Sequence, residues 1–195
     1  MSTRSNIYLK LKDESKGQTI KFDFSKLPSK NGEHHNPLEF PIKDVKIPKN
    51  AKYMRIYHHW DGYLSGVGKT LLKTYKDYET ILNLLVMGDI STINDGVTSY
   101  QGWRNEDTPP QFINNAGKIK TSVWSKRKKD WVEKYVKVCD ESGELQPKEA
   151  LCEEYAYLFD GEKWYTCYSE YDEKTDEYYV TDWVELTEEL INKND

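Results

Sequence analysis

The sequence lacks most of what a secreted, membrane-spanning or disulfide-stapled protein needs. Its 195 residues hold three cysteines, Cys139, Cys152 and Cys167. That odd number, without CxxC spacing, argues against a disulfide framework and fits a reducing compartment. No apolar run approaches the roughly 20 residues that cross a bilayer. The opening MSTRSNIYLK has no signal-peptide core. The expectation is a cytoplasmic protein without membrane association. Internal repeats and low-complexity tracts are missing too, which removes solenoid and array architectures.

What is present is charge and aromatic surface. Charged residues make up 31%, hydrophobic residues 37% and aromatics 13%, too much buryable area for a disordered chain. The length suits one domain, and the expected class is a single α+β domain over residues 1–195. Within it, 1–50 reads as an N-terminal hairpin and loop, 51–139 as a strand-helix-loop body, and 140–195 as an acidic β-meander with a short terminal helix. The formal net charge of −5 hides an asymmetry. Residues 1–139 carry 24 basic and 15 acidic side chains, whereas residues 140–195 carry 4 and 18. Packing of the two parts against each other, with mutual neutralisation, is the first expectation. The second is an acidic surface offered to a basic partner, acting mainly on association rate and partner choice.

Local patterns predict the elements. Ile7, Leu9 and Leu11 alternate, KDESKGQ turns, and Ile20, Phe22 and Phe24 alternate back, which predicts a hairpin. Four prolines between Ser25 and Asn50 predict loop. AKYMRIYHHW reads as a strand, with Tyr53, Arg55, Tyr57 and His59 on one face and Met54, Ile56, His58 and Trp60 on the other. Leu71, Leu72, Tyr75, Tyr78, Leu82, Leu85 and Val86 predict one long amphipathic helix, capped by Gly88 and packed on a sheet. Residues 89–117 read as a long ordered loop with short strands at most. Residues 118–138 suit either state, with two strands joined at the basic stretch preferred. In the C-terminal third, Tyr155–Phe159, an Asp160-Gly161 turn, Trp164–Tyr168 and Tyr178–Val184 predict a three-stranded antiparallel meander. Thr187 with Glu188 and Glu189 predicts a terminal helix start. Ten of the 26 aromatics fall between Tyr155 and Trp183, so some must face solvent; Tyr165 and Tyr179 are the candidates.

Three groups of residues invite a functional reading. Gly66-Val67-Gly68-Lys69-Thr70 resembles part of a phosphate loop. GxxxxGK[ST] fails, because Tyr63 stands where the first glycine is needed, and the βαβ alternation of such folds is missing. An anion site at this helix start, with Lys69, stays open. In YHHWDGY, alternation sends His58 and His59 to opposite faces, which argues against a shared metal. His59 and Asp61 are a candidate acid–base pair, against a structural reading in which Asp61-Gly62 only turns the chain. Residues 118–137 interleave eight basic side chains with Trp124, Trp131 and Tyr135. That pattern suits nucleic acid, but the overall acidity points instead to an internally salt-bridged surface.

YHHWDGYLSGVG resembles a group of uncharacterised small proteins of bacteria, prophages and other mobile elements, which carry an HWDGYP-type stretch, a Gly-containing turn and an amphipathic helix. The likeness continues in Gly88-Asp89-Ile90-Ser91 and in Tyr100, Trp103, Arg104, Glu106 and Asp107. It departs at Leu64, where the group has proline. The resemblance covers roughly residues 53–107 and implies an α+β fold with no established activity. It also brings His59, Asp61, Arg104 and Glu106 together as a candidate site.

The leading expectation is a non-enzymatic binding or inhibitor protein of phage or mobile-element type, acting in the host cytoplasm on a protein partner. Candidate partner-surface residues are Tyr165, Tyr179, Trp124 and Arg127. The alternative is a small enzyme or nucleotide-sequestering protein, taking a nucleotide or other anionic ligand at His59, Asp61, Tyr63, Lys69, Arg104 and Glu106. Self-association through strand edges is a third reading. Neither a metal nor a cofactor is expected.

Overall fold

Every residue of Ser5–Lys10 (β1) but the last is buried, with Ser5, Ile7 and Leu9 on one face and Asn6 and Tyr8 on the other. A strand buried on both faces belongs in the middle of a sheet with a layer on each side. In the computed structural model, which describes residues 3–28, 44–93, 97–99, 108–125, 127–151 and 154–194, β1 holds that place. The two-residue strands Thr19–Ile20 (β2) and Val45–Lys46 (β3) pair with each other. The predicted N-terminal hairpin is therefore wrong: β1 takes its partners from far along the chain, antiparallel Ala51–His58 (β4) and parallel Tyr155–Phe159 (β10).

The large sheet is mostly antiparallel. Beyond β4 lie Gln111–Asn114 (β7), Lys118–Ser125 (β8) and Asp130–Lys137 (β9). Beyond β10 lie Trp164–Asp172 (β11) and Glu177–Val180 (β12). Val184–Glu185 (β13) also pairs with β11, so the predicted third strand of the meander is split in two. Two short strands, Ile90–Thr92 (β5) and Thr98–Ser99 (β6), attach beside the end of β4.

One face of the sheet carries Ile7, Leu9, Met54, Ile56, Tyr157, Phe159 and Trp164, covered by helices. A π-helical turn, Leu64–Gly68, runs directly into α1, Lys69–Thr74. The chain then breaks before α2, Tyr78–Val86. The single long helix is thus two short ones. Asp77 is the reason: its side chain accepts the Thr80 N–H at 2.9 Å and starts a new helix. The Trp164 indole N–H donates to the carbonyl of Tyr75 at 2.7 Å, satisfying a group the break frees. Leu71, Ile81, Leu84 and Leu85 nonetheless lie fully buried against the sheet, each worth about 1.5–3 kcal/mol of apolar transfer. The terminal helix α4, Glu188–Lys193, joins this layer through Ile191, and Thr187 caps it as expected.

The opposite face carries Tyr8, Tyr53, Ile113, Ile119, Ala156, Leu158 and Cys167. It is covered by Val138, Leu145 and Ala150 from the connection that includes α3, Pro147–Ala150. The architecture is α+β.

Candidate functional site

The sheet forks beside β4. β7 pairs with its outer flank from Ala51 to Arg55, and β5 takes over at His58. Between them the Tyr57 N–H has no strand carbonyl and donates instead to Asp89 Oδ1 at 2.8 Å. Asp89 reaches the fork because Gly88 before it holds φ +84°. A Cβ on Gly88 would stand 2.2 Å from the Thr108 carbonyl oxygen, which accepts the Asp89 N–H at 3.0 Å. No other residue fits there. Burial lifts the Asp89 carboxyl to about 6, with the Tyr57 amide and the Arg55 charge pulling the other way.

Register gathers more polar side chains at the same end. Arg55 stands opposite Tyr8 on one side and Gln111 on the other, and Tyr57 stands opposite Asn6. The Asn6 amide and the Tyr8 hydroxyl both donate to the Ala150 carbonyl, at 2.9 and 3.0 Å. Three buried atoms here, Arg55 Nε, Gln111 Oε1 and Thr108 Oγ1, have no hydrogen-bond partner among the described residues. Buried groups of this kind are normally satisfied. Their concentration beside the fork marks the place.

The HWDGY stretch passes just beyond. His59 continues the strand, its N–H donating to the Ile90 carbonyl. Its Nδ1 lies 2.7 Å from the Tyr57 hydroxyl, and its ring meets Trp60 edge-on at 4.7 Å. The neighbour of His59 Nδ1 is therefore Tyr57, not the expected Asp61. His58 faces the helical layer, fully buried, and burial with the adjacent His59 lowers it to about 3. Asp61 takes a left-handed backbone, φ 59°, and its carbonyl accepts the Val67 N–H at 3.0 Å. Gly62 has to be glycine for a different reason: an added Cβ would lie 2.7 Å from the Arg4 backbone.

The phosphate-loop-like segment is closed on itself. The N–H groups of Gly66 and Gly68 go to the Tyr63 carbonyl and that of Val67 to Asp61; the Lys69 N–H goes to Gly66 and Leu64. An anion cradle needs those amides free, so the expected anion site at this helix start is not formed. Lys69 is exposed, and so is Tyr63. Arg104 and Glu106 lie outside the described residues. The structure thus gathers Arg55, Asp89, Thr108 and Gln111 at the fork, a set the sequence pattern did not single out.

The second candidate is a surface. β8 and β9 pair along their whole length, but β7 meets β8 only at Ile113 and Ile119. The rest of this ribbon projects past the sheet. Trp131 and Tyr135 share its one face at 64% and 62% exposure. Arg127 is exposed near its tip, and Trp124 is paired with Trp131. The β11–β12 hairpin ends the sheet on the other side, with five acidic residues and one basic over 169–180. There Tyr178 is 76% exposed, and Tyr179, 48% exposed, donates to Glu170 at 2.6 Å. Tyr165 is different from expectation: it is half-buried against the second core cluster.

The expected mutual neutralisation is local. Glu144 meets Lys10 and Lys52 at 3.4 and 3.3 Å, and Glu188 meets Lys73 at 3.6 Å. Lys120 and Glu133 pair at 2.6 Å within the basic ribbon itself. The two charged hairpins occupy opposite ends of the strand order, separated by β10, β1, β4 and β7. At about 4.8 Å per strand spacing, β11 and β8 lie about 24 Å apart.

Among the described residues, no group of three or more His, Cys, Asp or Glu could hold a metal ion, and no helix is long and apolar enough to cross a membrane. Burial raises both described thiols, Cys167 to about 12, so neither is a ready thiolate. No family model matches the chain, and no curated protein and no solved structure is similar to it.

Proposed function

We propose that the protein is a non-enzymatic binding protein of phage or mobile-element type that captures an acidic face of a partner protein with its basic β8–β9 ribbon. The observation that carries this reading is the projection of that ribbon. Residues 118–137 hold eight basic and two acidic side chains, and two large aromatics stand clear of the sheet on one face. Positive charge steers an acidic surface to the ribbon, and buried aromatic anchors then supply most of the affinity. Capture from a host lysate by the full chain, at low and high salt, tests it. An Arg127→Glu, Lys128→Glu double variant should lose most of the salt-dependent capture. Trp131→Ala should lose about 2 kcal/mol of affinity for the same partner. Capture that survives both changes, or that depends on nucleic acid and vanishes with nuclease, refutes the reading. So does a solution mass showing that the ribbon is already covered by a second copy.

A further inference from the structure

The polar end of the sheet has no part in that reading. We infer that the fork between β5 and β7 is a binding site for a free α-amino acid, with Arg55 taking the carboxylate and Asp89 the ammonium group. The two residues carry opposite charge and sense each other electrostatically, yet no ion pair joins them among the described residues. Arg55 Nε is buried and lacks an acceptor, which a carboxylate supplies in the geometry guanidinium favours. Gln111 Oε1 and Thr108 Oγ1 lack partners too. Gln111 Oε1 accepts and the Thr108 hydroxyl can accept while donating elsewhere, so they complete the hydrogen bonding of an ammonium group already drawn to Asp89.

Charge selects the class. A phosphate dianion beside one guanidinium would also face the Asp89 carboxylate and be repelled. A plain monocarboxylate would satisfy Arg55 and could take the Thr108 O–H, but would leave Gln111 Oε1 and the Asp89 charge unmet. A zwitterion meets every group named. Its burial also costs less than that of a single ion, because each of its charges finds a fixed opposite charge. Asp89 keeps its own hold on the Tyr57 N–H through Oδ1, leaving Oδ2 for the ligand.

Thermal-shift measurement on the full chain tests the site, with each proteinogenic L-amino acid in free, N-acetylated and methyl-ester form. At least one free amino acid should raise the midpoint by several degrees, and its acetylated and esterified forms should each lose that shift. In titration calorimetry with that amino acid, Arg55→Met and Asp89→Asn should each weaken binding about tenfold or more. The asparagine can still accept the Tyr57 N–H, so its effect reports charge rather than unfolding. Absence of a shift with every free amino acid overturns the inference, as does equal binding of the blocked forms. A shift with a nucleoside monophosphate alone would also overturn it. The blocked forms decide the matter on the wild-type chain even where a variant fails to fold.

Discussion

Replacing His58 with leucine should remove an acid-sensitive weak point from the core. His58 is fully buried in the helical layer, and neither ring nitrogen has a hydrogen-bond partner among the described residues. Its proton affinity falls from 6.5 to about 3, chiefly because burial penalises the charged ring and secondarily because His59 is adjacent. A base whose folded value lies below its unfolded value binds protons first in the unfolded chain. Stability is therefore intact above pH 6.5, falls as pH drops through that value, and stops falling near pH 3. The whole window is worth about 5 kcal/mol, and the part between pH 7.5 and pH 5 about 2 kcal/mol. Asp89 works in the opposite sense: its raised value lets the folded chain bind a proton first, returning about 1 kcal/mol over the same interval. Both proteins share that contribution, so it cancels in their difference. Leucine has nearly the volume of histidine and leaves no buried nitrogen without a partner, so the variant should be about 1–3 kcal/mol more stable at pH 7.5. Urea unfolding of the two proteins at pH 7.5 and pH 5 measures the effect. Their stability difference should widen by about 2 kcal/mol at the lower pH. An unchanged difference would falsify the account of a neutral, unpaired imidazole.

Two further outcomes follow from local geometry. Gly88→Ala forces a Cβ to within 2.2 Å of the Thr108 carbonyl oxygen at φ +84°, and should cost about 2–3 kcal/mol. Thermal unfolding would register this as a fall of several degrees, and an unchanged midpoint would show that the fork is not held as described. Asp77→Ala removes the cap that starts α2 and should cost about 1 kcal/mol in urea unfolding, while Asp77→Asn should cost little.

The C-terminal meander was legible because its information is local. Alternating aromatics and the Asp160-Gly161 pair specify strand and turn within twenty residues, whereas the spacing of residues 118–138 suited strand and helix alike and the β8–β9 pairing decided it. β1 was not legible in that way. Ile7 and Leu9 predict a strand, but nothing nearby says that its partners lie at Tyr53–His58 and Tyr155–Phe159. The helix break was hidden because the apolar spacing of Leu71 to Val86 continues across it; Asp77 with Glu79 was the available signal, a capping residue followed by acid in the first turn. At the candidate site, alternation correctly grouped Arg55, Tyr57 and His59. It missed Asp89, whose importance arises only because two strands part beside β4 and a carboxylate fills the place of a peptide carbonyl. Such a role comes from tertiary arrangement, which periodicity does not encode.

The central position of β1 has a consequence for how the chain is made. Its parallel neighbour leaves the ribosome some 150 residues after it does, so for most of synthesis one flank of an apolar strand stands unpaired. Contacts so distant in sequence form late and slowly, and an open flank of this kind invites pairing with the wrong chain.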